Sequence, residues 1–172
     1  MRRKITIAII IIVCFLLQTT LFKALSFATI SPNLLIVIVS AFGFMRGKKE
    51  GLFIGFFCGL LMDIFYGDIL GFYALIYMYI GYCNGFFRKI FFPEEIKLPM
   101  ILISVSDLTC NVLVYFFLFL FRRRFDFGYY FLKLMVPEFV YTILITIVLY
   151  FVLLKINQKL EKVEKRSTAK FV

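Results

Sequence analysis

Long apolar stretches recur along this chain from end to end, each closed by a short basic or turn-forming connection. Runs of about 18 or more apolar residues suit a bilayer core rather than a soluble fold. Composition agrees: 63% of residues are hydrophobic and 17% charged, whereas a soluble domain is about 45–50% apolar. The pattern predicts an all-α integral membrane protein, a single polytopic domain over residues 1–172. Six transmembrane helices fit it, at about 5–22, 32–45, 51–66, 69–87, 99–121 and 134–154, followed by a short basic tail, 155–172. The start, MRRK before IAIIIIVCFLL, imitates a signal peptide. Gln18-Thr19-Thr20-Leu21-Phe22-Lys23 offers no small-x-small cleavage site, so the segment reads as an uncleaved first span.

Orientation follows from Lys and Arg. With six spans, the N-terminus, the 46–50 loop, the 88–98 loop and the tail share one side and carry fifteen of the 20 basic residues. The other side keeps five: Lys23, Arg122, Arg123, Arg124 and Lys133. Both termini are therefore expected in the cytoplasm. The net charge of +10 reflects these loops and needs no nucleic-acid partner. The tail, helical at its start and mixed in charge, reads as an anchor on anionic lipid or a contact for a cytoplasmic partner. The Arg122–Arg124 cluster can hold lipid phosphate or an acidic partner, or snorkel at the interface.

The third stretch, GLFIGFFCGLLMDIFYGDILGFYAL, carries the most specific signal. Gly51, Gly55 and Gly59 recur every four residues, and Asp63 takes the next step. A step of four on a helix drifts only about 40°, so the four share one stripe that should face another helix. Small residues at this spacing let backbones approach closely. Gly81 and Gly85 repeat the device, which predicts an antiparallel hairpin of the third and fourth spans, turned at Gly67–Asp68 and eased by Gly71. An acid at mid-membrane is expensive, about 2.5–3.5 kcal/mol on insertion scales. Asp107 is a second, sharing a face with Ser104 and Asn111, and Glu138 a third, behind Pro137 at the start of the sixth span. Two readings are open. One is a set of interhelical hydrogen bonds, with Asp63→Asn tolerated and Asp63→Leu harmful. The other is a polar cavity lined by Asp63, Tyr73, Asp107 and Asn111 that admits a ligand or a proton. Tyr66, Tyr73 and Tyr77 read as interface anchors.

No catalytic constellation is legible. There is no His, the commonest general base and metal ligand. Cys14, Cys58, Cys83 and Cys110 lie within apolar runs, form no CxxC pair, and read as small buried side chains. GFMRGKKEG lacks the ending of a phosphate-binding loop. No cofactor, metal or enzymatic activity is expected.

SPNLLIVIV at 31–39, the loop MRGKKEG and the glycine-rich stretch together resemble the rod shape-determining protein MreD family. The motif positions are Pro32-Asn33, Gly59-Leu60 with Asp63, and Gly67 with Gly71. The resemblance implies a non-enzymatic component of a bacterial plasma membrane, which associates with MreC. Through MreC it implies links to MreB, RodA and a class B penicillin-binding transpeptidase, directing lateral peptidoglycan synthesis in the cell-elongation machinery. It also implies a likeness in fold to the S components of energy-coupling-factor transporters, and hence an alternative, the substrate-binding subunit of a vitamin-type transporter. Such subunits carry small residues on the first helix, where this chain offers Ala8. Self-association is compatible with all of this.

Overall fold

The computed structural model describes residues 2–20, 32–67, 69–90, 96–122, 128 and 131–168. Among them the chain is all-helical, with no strand: α1 (Arg2–Thr19), α2 (Leu34–Arg46), α3 (Lys48–Tyr66), α4 (Phe72–Asn84), α5 (Lys97–Arg122) and α6 (Val136–Thr168). A 3-10 helix, Gly85–Ile90, extends α4, and a π-helical turn, Phe131–Met135, leads into α6.

The centre is α2. Its sequence, LLIVIVSAFGFMR, is apolar all round, and a helix of that kind has no face to offer water. All of Leu34–Arg46 is buried, and each of the other five helices packs on it. The chain then reverses through one residue. Gly47 has φ +97°, a left-handed conformation open to glycine at little cost, and both helices bond across it, Gly47 N–H to Gly43 O and Gly51 N–H to Gly47 O.

The closest pair is α3 with α4, laid antiparallel. A Cβ at Gly51 would collide with Gly81 O, one at Gly55 with Tyr77 O, and one at Gly59 with Ala74 Cα. The pairing descends regularly along the seam, so backbone lies directly on backbone. Gly43 joins the inner end, where a Cβ would stand 2.7 Å from Gly81 O. Three helices therefore cross at Gly43, Gly51 and Gly81.

Around this centre α5 is amphipathic in an inverted sense. Ile103, Ser106, Asp107, Cys110, Asn111 and Val114 turn inward at spacings of three and four, while Ile101, Val105, Val112 and Phe116 are exposed. Apolar residues are exposed elsewhere too, among them Phe53, Phe65, Leu144 and Val148, each over half exposed. A surface this apolar requires a non-aqueous surround. Two helical segments are long and apolar enough to cross a membrane, Lys97–Phe117 and Phe131–Glu161, while the apolar helices Lys4–Thr19 and Leu34–Arg46 are shorter. The tail expected from residue 155 continues α6 as helix to Thr168.

Candidate functional site

Asp63 is 3% exposed, near the end of α3. Its carboxylate accepts three backbone N–H bonds from the start of α4: Gly71 to Oδ2 at 3.0 Å, Tyr73 to Oδ1 at 2.8 Å and Ala74 to Oδ2 at 2.9 Å. The first N–H groups of any helix lack intrahelical partners. In hydrocarbon each costs several kcal/mol if left bare. α4 begins at Gly71, which has φ +99° and no side chain with which to cap it. Asp63 supplies the cap from the neighbouring helix, where the positive end of the α4 dipole favours an anionic side chain. The glycine stripe makes this geometry, because only a backbone-close seam brings Asp63 within reach of a turn eight residues onward.

The start of α2 is served the same way. Asn33 Oδ1 accepts from Ile36 N–H at 3.2 Å, a regular N-cap, and from the Tyr77 hydroxyl at 3.0 Å. Gln18 of α1 accepts from Leu35 N–H at 3.3 Å. Asn33 N–H donates to Thr142 Oγ1 at 3.2 Å, and the Thr142 hydroxyl donates to Glu138 O. Four helices are thus tied at one node behind Pro32.

A second polar group lies beside that node and is less satisfied. Asp107 is fully buried, and neither of its carboxyl oxygens has a hydrogen-bond partner among the described residues. Asn111, one turn on, is 7% exposed; its Nδ2 is turned towards Glu138 but has no acceptor within 3.5 Å among the described residues. Glu138 faces both Asp107 and Asn111, and Cys110 is near both Asp107 and Tyr77. Tyr73 stands next to Tyr77, ring centroids 6.3 Å apart. The four residues expected around one cavity are therefore divided: Asp63 turns its oxygens to the α4 backbone, while Asp107 and Asn111 look towards Glu138.

At the opposite end, Arg46 Nε donates to Asn157 Oδ1 at 2.5 Å, and Asn157 Nδ2 donates to Glu161 at 3.2 Å. Asn84 donates to Ser106 at 2.8 Å, joining α4 to α5. On the outside, α1 rests on α2 and leaves an apolar groove of about 690 Å³ against α3. Ile7, Ala8 and Ile11 form one wall and Ile54, Phe57 and Leu61 the other, with Lys4 and Glu50 at one end.

Some expectations need correction. Tyr77 is not an interface anchor; it is fully buried and bonded to Asn33, whereas Tyr66 is half exposed. Cys14, Cys58 and Cys110 are buried, but Cys83 is exposed. Arg46 is no loop residue but the buried last residue of α2. Gln18, Arg46, Thr142 and Asn157 are structural polar residues that pattern reading passes over. Gln18, Thr142 and Asn157 signal only as an amide or hydroxyl on a buried face, and Arg46 as a guanidinium at the end of an apolar run. Gly67 closes α3, its N–H bonded to Asp63 O. Asp68, Arg123 and Arg124 lie outside the described residues, as does the Arg122 side chain.

A family model described as rod shape-determining protein MreD matches residues 1–160. No curated protein matches the chain, and no solved structure does. The match covers most of the sequence, and the chain belongs to the MreD family, whose members act in determining rod shape.

Proposed function

We propose that this protein is a six-span scaffold of the cell-elongation machinery in a bacterial plasma membrane, with both termini cytoplasmic and no enzymatic activity. It holds MreC, and through MreC it engages MreB, RodA and a class B penicillin-binding transpeptidase, directing lateral peptidoglycan synthesis. The observation that carries this reading is the groove between α1 and α3. From Glu50 to Ile64 its α3 wall runs about 21 Å at 1.5 Å per residue, long enough to seat most of one membrane-crossing helix. Phe53, Phe57 and Ile64 on that wall are more than half exposed, so a partner helix would find side chains already standing out. Behind them, the glycine seam and the Asp63 cap make α3 and α4 a stiff backing.

A photo-crosslinking residue at Phe57 tests this in membranes that contain MreC. The expected result is an adduct between the two proteins from position 57 and none from position 144, where Leu144 is exposed on α6. Equal capture from both positions, or capture from 144 alone, would refute the groove as the MreC site.

A second reading rests on Asp107 and Asn111. Buried polar atoms without partners favour a bound polar molecule, as in the substrate-binding subunit of a vitamin-type transporter with an S-component-like fold. Mass spectrometry of small molecules retained by the purified protein separates the two. A stoichiometric ligand lost on Asp107→Leu supports the transporter, and its absence leaves the scaffold.

A further inference from the structure

A second concavity lies at the corner between α2 and α3, about 540 Å³ in volume and lined by Gly47, Lys48, Gly85, Phe86, Arg88 and Lys89. Two glycines bring its walls together. A Cβ on Gly47 would stand 2.8 Å from Arg88 Cδ, and one on Gly85 would stand 2.6 Å from Gly47 C. The 3-10 helix is therefore seated directly on the start of α3, which gathers Lys48, Arg88 and Lys89 around one space.

The charge pattern there is unbalanced. Among the described residues, three of the six that line it are cations and none is an acid. Like charges brought together repel unless a counter-charge joins them. Lys48 is also the first residue of α3, where the helix dipole disfavours a cation. Its ammonium is held over the Phe86 ring, 3.4 Å from the centroid, and 5.9 Å from that of Tyr82. That contact keeps Lys48 at the cavity rim. An anion with several acceptor oxygens would offset all three charges, and a phosphoryl group suits Arg and Lys donors.

We propose that this cavity binds the phosphoryl group of an anionic phospholipid headgroup. The exposed Phe86 and Tyr82 rings beside it would lie along the upper acyl chain, as rings at a membrane surface do. The inference takes from the proposed function only which leaflet supplies the lipid. Its test is made on the purified full chain in neutral detergent, so loss of the MreC contact leaves it untouched.

The probes are dihexanoyl phosphatidylglycerol, dihexanoyl phosphatidylcholine and inorganic phosphate, titrated onto wild type, Lys48→Gln/Arg88→Gln and the tail control Lys155→Gln/Lys159→Gln. The cavity variant should bind phosphatidylglycerol about tenfold more weakly, with the control unchanged and phosphatidylcholine weak throughout. Inorganic phosphate binding as tightly as the lipid, with the same loss in the cavity variant, would keep the anion site but overturn the lipid as its source. Equal weakening by the tail control would overturn the proposal, showing diffuse attraction instead of a site. A charge-keeping variant, Lys48→Arg/Arg88→Lys, guards against misfolding. So does acylation of Lys48 in wild type, mapped by mass spectrometry, which phosphatidylglycerol should slow about tenfold. An acylation rate unmoved by phosphatidylglycerol would also overturn the site.

Discussion

Replacing Asp63 measures what the cap of α4 is worth. Asp63→Leu removes the acceptor of three N–H groups, those of Gly71, Tyr73 and Ala74. A buried donor left bare costs about 1–3 kcal/mol, so the three together cost about 3–9 kcal/mol before relaxation. Asp63→Asn is milder but not benign. The amide oxygen can take the place of Oδ2, which accepts from both Gly71 and Ala74. The amide nitrogen then meets the Tyr73 N–H, donor against donor, where Oδ1 accepts at 2.8 Å. One lost bond predicts about 1–3 kcal/mol, more than the tolerance that hydrogen-bonding capacity alone suggests. The order of stability should be Asp, then Asn, then Leu, measured by unfolding in mixed micelles with increasing sodium dodecyl sulfate. Shape rescue of a rod-forming cell lacking its own copy should follow the same order. A Leu variant within about 1 kcal/mol of wild type would refute the capping argument. Unchanged stability with lost cell shape would instead make Asp63 a contact for a partner or ligand.

Other expectations follow from the same packing. Gly55→Leu should abolish recovery of folded protein, because even a Cβ collides with Tyr77 O, while Phe56→Leu at an exposed neighbouring position should be recovered at wild-type yield in size-exclusion chromatography. Arg46→Ala and Asn157→Ala should be non-additive in a double-mutant cycle, with a coupling of about 0.5–3 kcal/mol by micellar unfolding, given their 2.5 Å bond; strict additivity would remove the α2–α6 tie. Asp107→Leu should be neutral or stabilising, because the carboxyl makes no hydrogen bond that the change would break. A loss of more than about 2 kcal/mol in unfolding would show that a bound group is being lost with it.

The hairpin of α3 and α4 is legible in the sequence because close helix packing selects small residues at a fixed period. Four-residue spacing puts Gly51, Gly55 and Gly59 on one line, and the line continues to Asp63. The purpose of Asp63 is not legible that way. Its partners are backbone N–H groups, which every residue carries, so no side-chain pattern marks them. Arg46 misleads for a different reason. Basic residues near span ends are counted towards topology whatever they touch, yet this one closes a buried helix against Asn157. Tyr77 is similar: aromatic composition suggests an interfacial belt, and only the packing of α2 against α4 brings its hydroxyl to Asn33. The start of the helical tail is legible, and α6 runs on to Thr168 because the change from apolar to charged residues alters the surroundings of a helix without ending it.

Several polar residues of the interior share one role, completing a helix end. Gln18, Asn33 and Asp63 each accept from the first N–H groups of α2 or α4. Arg46 stands in the last turn of α2, where a cation suits the dipole. In the proposed six-span arrangement α2 and α4 lie inside a bilayer, and short helices there need such residues, because their ends fall where water is scarce. Their presence is then a consequence of α2 and α4 being only 13 residues each, and it supplies no argument for a transport path. Asp107 and Asn111 fall outside this account, since they lie mid-way along a 26-residue helix whose backbone needs no help there. The choice between a scaffold and a ligand-binding subunit therefore turns first on these two residues, and Asp63, the costlier-looking acid by sequence, is accounted for by the α4 cap.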